Sequence, residues 1–205
     1  IAPTRARPSS NCMAPTRNVS VSTSCTYCGE PATANGAINA IVTGRTARVA
    51  LLVTAGHPDI LVMREGGRAR AFDYSRPFPQ PYVPRALTFQ VPGRIRCDGA
   101  VIDPLDEAVA RDIIASLPGH GVEAVAVGLL WSTVNPEHEL AIGRLLEELL
   151  PGIPYTLSHQ LNPCVREYRR ISAAAIDVSL KPIMVSYLGG LAERLRAAGY
   201  SGRVF

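Results

Sequence analysis

Lysine is almost absent from this chain, and long apolar runs are absent altogether. Lys181 is its one lysine, and the 205 residues carry a formal net charge of +4. The arginines are scattered rather than gathered on one stripe, so the sequence does not predict a nucleic-acid-binding surface. No run of about 18 apolar residues exists, which predicts no membrane-spanning helix. The N-terminus shows no charged-then-apolar signal pattern, and we therefore expect a cytoplasmic protein.

Disulfide and metal-site patterns are missing as well. The five cysteines have no regular spacing. Cys25 and Cys28 form a C-x-x-C pair, which can be half of a zinc site or a redox pair. No second pair follows, so we expect free thiols and no metal site, with a C-x-x-C metal or redox module as the alternative.

The composition changes near residue 31. Residues 1–31 are rich in Ser, Thr, Pro and Arg, and such a segment buries too little apolar surface to offset its ordering entropy. We expect this segment either to be a tail or to form one short strand around Val19–Tyr27. We treat residues 1–31 as an atypical N-terminal segment and residues 32–205 as one domain.

Strands and helices alternate along residues 32–205. Val49–Thr54 and Val122–Leu130 are continuous apolar runs of strand length, as in a sheet buried on both faces. Asp98-Gly99 predicts a hairpin turn. Lys181-Pro182 is expected to separate two final helices, because proline lacks the backbone N–H. The pattern predicts an α/β fold in which a mixed sheet has flanking helices.

Polar residues directly follow the first of these strands. Open α/β sheets bind ligands at the carboxyl ends of their strands, and Gly56-His57-Pro58-Asp59 lies there. Histidine changes charge near neutral pH, and an aspartate can accept a substrate hydrogen bond or act as a base. His57 and Asp59 are therefore candidate catalytic residues; alternatively, Asp59 caps a short helix over Pro58–Arg64 through its side chain or favours the positive N-terminal end of that helix.

A second candidate group lies on a predicted helix that starts at Cys164. Arg166 and Arg170 are four residues apart on that helix, and Glu167 neighbours Arg170. Two guanidinium groups aligned in this way can clamp a carboxylate or phosphate. We name Arg166, Glu167 and Arg170 as catalytic candidates, with a surface ion-pair cluster of small energetic effect as the alternative.

The run Glu137-His138-Glu139 offers metal ligands, but consecutive helix residues point about 100° apart and cannot all reach one ion. The simpler interpretation is that Glu137 and Glu139 favour the positive end of the helix dipole. No partner is identified from the sequence for His120 or His159.

Four long segments together resemble one protein family. They are RVALLVTAGHPDIL, FDYSRPFPQPYVPRALTFQVPGRI, GVEAVAVGLLWSTVNPEHE and NPCVREYRRISAAAIDVSLKP, within Arg48 to Phe205. Their order and spacing resemble the N-terminal domain of the hydantoinase A/5-oxoprolinase family, which includes acetone and acetophenone carboxylases. The resemblance implies one lobe of an actin- and sugar-kinase-like, ribonuclease-H-type fold, with the second lobe absent from this sequence.

The resemblance also implies a function. Members use ATP and Mg²⁺ to activate a carbonyl or cyclic amide by phosphorylation, before hydrolysis or carboxylation. Their implied partners are a hydantoinase-B-like subunit or a further ATP-binding subunit. The family's Gly-Thr-Thr and Asn nucleotide segment corresponds here to Thr33, Ala34, Asn35 and Asn39, so Thr33, Asn35 and Asn39 are the cofactor-binding candidates.

The sequence departs from the family at two places that bear on ATP. The Gly- and Asp-rich phosphate loop that opens the family is not found, and the Gly-Thr-Thr residues are replaced. We therefore expect this chain to be inactive alone, as a domain or subunit of a hydrolase or ligase. The alternative is a non-catalytic structural or assembly domain derived from the family.

Overall fold

The computed structural model describes residues 36–66, 73, 75 and 77–202. The expectations for Val19–Tyr27, Cys25, Cys28, Thr33 and Asn35 lie outside the described residues. The strands are β1 (Val49–Thr54), β2 (Thr88–Val91), β3 (Arg94–Ile95), β4 (Val101–Asp103), β5 (Ala124–Gly128) and β6 (Tyr155–Leu157). The helices are α1 (Gly36–Val42), α2 (Ile60–Met63), α3 (Glu107–Ser116), α4 (Glu137–Leu149), α5 (Ser158–Leu161) and α6 (Glu167–Ala197).

Four of these strands form a parallel sheet in the order β2-β1-β5-β6. Leu51 lies opposite Thr88 on β2, and Val49 lies opposite Ala124 on β5. Every residue of β1 and of β5 is buried, as their continuous apolar composition predicts for central parallel strands. The α/β fold with flanking helices is confirmed.

The antiparallel part of the fold is a separate two-stranded unit. β3 pairs with β4 antiparallel, with Arg94 opposite Asp103. Gly99 takes a φ of +88° in the connecting turn, a conformation that favours glycine. The hairpin predicted at Asp98-Gly99 is thus confirmed, although its strands do not join the four-stranded sheet.

Helices cover both faces of the parallel sheet. α6 packs against β5, β6 and β1, whereas α3 and α4 pack against each other and against β2, β5 and β6. The side chain of Asp106 begins α3 by accepting a hydrogen bond from Val109 N at 3.0 Å, which satisfies one of the free N–H groups of the first turn.

The predicted break at Lys181-Pro182 is wrong, because α6 continues through Pro182 as one 31-residue helix. Proline removes one backbone hydrogen bond from a helix interior. Two other contacts hold this turn in place: Lys181 Nζ donates to the Tyr155 carbonyl at 2.7 Å and lies 3.5 Å from Asp177. Val178, one turn earlier, is fully buried.

α6 is also long and apolar enough, by length and composition only, to cross a membrane. Its N-terminal half supplies Ile171, Ala174, Ala175 and Val178 to the core of the sheet. Core helices can have this composition, and 28% of the apolar stretch is buried in this structure.

The close approach of α6 to β5 gives a test of the fold. A Cβ added at Gly128 would overlap Ile171 Cγ1, and Ile171 is 3% exposed. We expect Gly128→Ala to lower the free energy of unfolding by roughly 1–3 kcal/mol, as overpacking does, in urea unfolding followed by circular dichroism.

The control is Gly189→Ala in α6, where an added Cβ meets nothing within 4 Å. This change should be neutral or stabilise by up to about 1 kcal/mol, because alanine favours helix. The double variant Gly128→Ala/Ile171→Ala should lose less stability than the two single losses added together. Equal effects of the two glycine changes would contradict the close packing.

Candidate functional site

All four parallel strands end at one edge of the sheet, called here the carboxyl edge. β1 lies between β2 and β5, so the chain turns to one side of β1 and later to the other. Ligands of open α/β sheets bind at such a switch point. Here the gap between β1 and β5 is closed, because Leu130 N donates to Thr54 Oγ1 at 3.0 Å. The open space lies on the β2 side.

That space is a cleft of about 600 Å³, called here the carboxyl-edge cleft. Its lining comes from the ends of β1 and β2 and from the β3–β4 hairpin: Thr54, Ala55, Pro92, Gly93, Arg94, Asp103, Pro104 and Asp106. Asp106 is engaged as the cap of α3. Within the described part of the chain, the Asp103 carboxylate has no hydrogen-bond or ion-pair partner. Arg94 and Asp103 are therefore the charged groups available to a ligand.

His57 lies beside this cleft through its contact with Arg94. Its Nε2 is 3.0 Å from an Arg94 guanidinium nitrogen. Arginine only donates, so Nε2 of His57 accepts. Gly56 N donates to Gln90 Oε1 at 2.8 Å and fixes the loop to the end of β2. The structure thus brings His57, a sequence candidate, to Arg94, which the sequence analysis did not single out.

Asp59 forms an ion pair with Arg85, a partner that the sequence analysis did not name. It accepts a hydrogen bond from Arg85 Nε at 2.8 Å, and both side chains are about half exposed. Asp59 is the N-cap residue of α2, but its side chain makes no capping bond. The side-chain cap is therefore wrong, and the favourable position at the positive helix end stays the alternative. The catalytic role of Asp59 stays a prediction.

The two arginines of the expected clamp lie in different environments. α6 begins at Glu167, so Arg166 is its extended N-cap residue and not part of the helical face. The Arg166 side chain is 72% exposed and lies 3.9 Å from Glu65, whereas Arg170 is fully buried. The shared-anion geometry is therefore wrong. The ion pair at this surface joins Arg169 to Glu65, through bonds of 2.6 and 3.0 Å.

Arg170 instead holds three segments together inside the protein. Its guanidinium donates to the Leu129 carbonyl after β5 at 2.7 Å, to the Cys164 carbonyl at 2.8 Å and to Ser158 Oγ at 3.0 Å. All three acceptors are uncharged. The Ser158 hydroxyl also donates to the Glu139 carboxylate, so it links Arg170 to Glu139.

The Glu139 carboxylate is fully buried and accepts four hydrogen bonds. Leu129 N and Ser158 Oγ donate to Oε1 at 2.8 and 2.6 Å. His159 contacts Oε2 through its backbone N at 3.2 Å and its Nδ1 at 2.6 Å. Burial raises the pKa of Glu139, but the bonds from His159, Ser158 and Leu129 outweigh it and hold the pKa below its ordinary value.

Glu139 does lie in the first turn of α4, as the helix-dipole interpretation requires, and its four buried hydrogen bonds are a role that the sequence analysis did not name. The signal for its burial is present in the sequence, because Glu139 precedes Ile142 and Leu146 by three and seven residues. That spacing places it on the apolar stripe of α4, and both of these residues are buried. Glu137, two residues earlier, is exposed.

The turn after β5 carries strain at the same edge. Trp131 has a φ of +55°, which is uncommon for a residue other than glycine. Ser132 Oγ donates to the Leu129 carbonyl, and Asn135 Nδ2 donates to the Gly99 carbonyl of the hairpin at 2.9 Å. Thr133 Oγ1 is buried and, among the described side chains, is the buried polar atom without a partner.

The remaining candidate features offer fewer charged or polar groups to a ligand. A cleft of about 220 Å³ at the amino end of β1 is lined mainly by apolar residues, with Arg48 as its charged side chain. The cofactor candidate Asn39 is exposed on α1. Glu167 is half-buried at the start of α6. Within the described residues, no group of three or more His, Cys, Asp and Glu side chains is placed to hold a metal ion.

The buried carboxylate gives a pH-dependent prediction. Glu139→Gln should lower the free energy of unfolding at pH 7 by roughly 3 kcal/mol, because it leaves buried donors unpaired. The folded pKa of Glu139 lies below the unfolded value, so the contribution is complete above the unfolded pKa of about 4.3 and is lost at lower pH. The difference from wild type should narrow as the pH falls from 5 to 3 in urea titrations.

Glu137→Gln is the matched control, since Glu137 is exposed in the same helical turn. It should change stability by less than about 0.5 kcal/mol. Stability curves for Glu139→Gln and wild type that stay parallel from pH 7 to 3 would contradict a native-state role for the ionised carboxylate.

Comparison with known proteins places the chain in a family. The model of the hydantoinase/oxoprolinase N-terminal region matches residues 32–150. The chain is 34% identical to caprolactamase subunit alpha of Pseudomonas jessenii over 74% of its length, and 31% identical to the acetophenone carboxylase gamma subunit of Aromatoleum aromaticum over 81%. It spans 22% and 24% of those relatives.

Two solved structures share the fold. The ATP-dependent caprolactamase from Pseudomonas jessenii superposes with a TM-score of 0.71 at 33% identity, covering 78% of this chain and 23% of that one. Nucleotide-free acetone carboxylase superposes with a TM-score of 0.61 at 26% identity, covering 71% and 22%. From the sequence match over more than half its length, this chain belongs to the hydantoinase/oxoprolinase family and corresponds to its N-terminal region.

Proposed function

We propose that this chain is the N-terminal part of an ATP-dependent enzyme that acts on a small cyclic amide or ketone. The observation that carries the proposal is the carboxyl-edge cleft, which is lined by Arg94, bonded to His57, and by Asp103, whose carboxylate has no partner among the described residues. A cleft of about 600 Å³ has the size typical of small-molecule sites. The relatives named above include an amide-ring hydrolase and ketone carboxylases.

The residues of the cleft suit a carbonyl substrate next to a phosphate. Arg94 can donate to an oxygen on which negative charge develops, and the bond to His57 orients its guanidinium. Asp103 supplies one free carboxylate, which fits a Mg²⁺ ion held mainly by phosphate oxygens and water. When bound, MgATP would supply the phosphoryl group that activates the carbonyl for hydrolysis or carboxylation.

We also propose that the chain works in the cytoplasm as one piece of a larger assembly and does not turn over alone. The curated relatives are named as subunits, and the chain spans less than a quarter of their length. A hydantoinase-B-like subunit and a further ATP-binding chain are the partners we propose.

The assembly can be tested by native mass spectrometry of the untagged protein, purified gently from its own source. We expect a complex with a hydantoinase-B-like subunit that releases phosphate from MgATP when ε-caprolactam or acetophenone is added. The isolated chain should release none. A lone 21.9 kDa species would count against the assembly and favour a non-catalytic domain.

Arg94 can be tested within that complex. Replacing one donor that stabilises developing negative charge typically lowers kcat by about 10²–10³, so Arg94→Met should reduce substrate-dependent phosphate release by at least about 100-fold. Arg111→Met is the control, because Arg111 is paired with Glu148 between α3 and α4. Loss of activity in both variants, or in neither, would remove Arg94 from the site.

A further inference from the structure

The loop that follows β1 is held by β2 at two consecutive backbone N–H groups. Ala55 N donates to the Val91 carbonyl at 3.0 Å, and Gly56 N donates to the side-chain oxygen Oε1 of Gln90 at 2.8 Å. The first bond joins main chain to main chain, so it does not depend on which side chains are present. The second bond exists only because residue 90 carries an acceptor of the right length.

The side chain of Gln90 makes no other contact of this kind. The backbone of Gln90 lies opposite Val53 in the parallel sheet, and its side chain is exposed. Within the described part of the chain, the bond to Gly56 is the hydrogen bond that this side chain makes. Gln90 is not among the residues that line the carboxyl-edge cleft. Any effect of Gln90 on the chemistry must therefore act through the loop.

Gly56 and His57 form a tight turn at the end of β1. Gly56 has a φ of +88°, and a Cβ added there meets nothing within 4 Å. Glycine is thus favoured at this position for its conformation and not for lack of space. His57 follows directly, and its N donates to the Thr54 carbonyl at 3.2 Å. The direction of the His57 side chain is set by this turn, which Gln90 holds.

His57 in turn is the anchor of the Arg94 guanidinium. Among the described residues, the bond from Arg94 Nη1 to His57 Nε2 at 3.0 Å is the hydrogen bond that this guanidinium makes. Its Nε and Nη2 groups remain for a ligand of the cleft. Arginine has high rotamer freedom, so a guanidinium with one anchor loses its orientation when that anchor moves. The bond at Gln90 and the bond at His57 are therefore linked.

We propose that Gln90 is a positioning residue: by holding Gly56 it keeps His57 in place, and so it orients the Arg94 guanidinium in the carboxyl-edge cleft. This inference rests on the proposed function, in which Arg94 donates to an oxygen that gains negative charge. Such a donor lowers the barrier when it already points at that oxygen, and small misplacements of a catalytic group reduce rates strongly.

The kinetic test uses the assembled complex with MgATP and ε-caprolactam or acetophenone. Gln90→Met removes the acceptor and keeps the length of the side chain. It should lower kcat for phosphate release roughly tenfold, as the loss of one hydrogen bond does. KM should stay unchanged, because the lost interaction acts in the transition state. Gln90→Glu retains an acceptor oxygen and should keep kcat within about twofold of wild type.

A double variant separates positioning from a loss of folded protein. If Gln90 acts through Arg94, adding Gln90→Met to Arg94→Met should change kcat by less than about twofold, since the group being positioned is already gone. A loss of stability would instead lower activity by the same factor in both backgrounds. Gln160→Met is the matched control, because Gln160 is an exposed glutamine on α5, and it should leave kcat within about twofold of wild type.

The free 205-residue chain gives a readout that needs no activity. Arginine only donates, so a neutral His57 carries its proton on Nδ1 while the bond to Arg94 exists. Long-range ¹H–¹⁵N spectra at pH 8 should show this single tautomer of His57 in wild type, Gln90→Glu and Gln160→Met. Gln90→Met should show a mixture of both tautomers, because the ring is no longer held against Arg94.

The outcomes distinguish this inference from the function beneath it. An unchanged His57 tautomer in Gln90→Met, or a loss of kcat that persists in the Arg94→Met background, would overturn the positioning role and leave Arg94 in the site. Full activity of Arg94→Met would remove the site itself, and the role of Gln90 with it. A complex that releases no phosphate would overturn the proposed function, and with it any effect of Gln90 on the rate, even where the His57 spectra change as expected.

Discussion

The Glu139 carboxylate has no exposed surface, and its charge can be kept inside the protein only if several donors meet it there. A buried charge is costly unless it is paired and fully hydrogen-bonded. The donors come from the end of β5 and from the start of α5, and Arg170 on α6 joins through Ser158 and the Leu129 carbonyl. Helix α4, helix α6 and the ends of two parallel strands are thereby fixed to one another. Glu139 and Arg170, which both bond to Ser158 and Leu129, thus hold the carboxyl edge in place.

The network also shows that a charged side chain in a motif can serve the fold. Arg170 is the only arginine among the fully buried side chains of the described residues, yet all its contacts are to the protein itself. Arg166, just before the helix, remains exposed. Two arginines four residues apart look equivalent in the sequence, but the start of α6 between them sends one to solvent and the other to the core.

The sequence predicts the sheet well because burial on both faces leaves a mark at every position of β1 and β5, and it predicts the hairpin because Asp98-Gly99 has a strong local conformational preference. Hydrogen bonds between side chains that are far apart in the sequence leave no comparable pattern. The bond from Arg94 to His57 joins residues 37 apart, and those from Glu139 to Ser158 and His159 join residues 19 and 20 apart. The predicted helix break at Pro182 is wrong for a related reason. The tendency of proline to end a helix is local, whereas the bond from Lys181 to the Tyr155 carbonyl on β6 is a long-range contact.

Polar groups at the carboxyl edge fall into two kinds: those whose hydrogen bonds to the protein are complete, and those that have no protein partner. Glu139 and Arg170 have full sets of partners, and they lie beneath the surface of the carboxyl edge. Among the described side chains at the same edge, Thr133 Oγ1 is buried without a partner, and the exposed Asp103 carboxylate has none either. An unsatisfied buried group destabilises a fold by about 1–3 kcal/mol, so a protein can keep such groups only where the surrounding backbone is held by other contacts. The buried network supplies those contacts directly beside the cleft, and this is why the two kinds of polar group occur together.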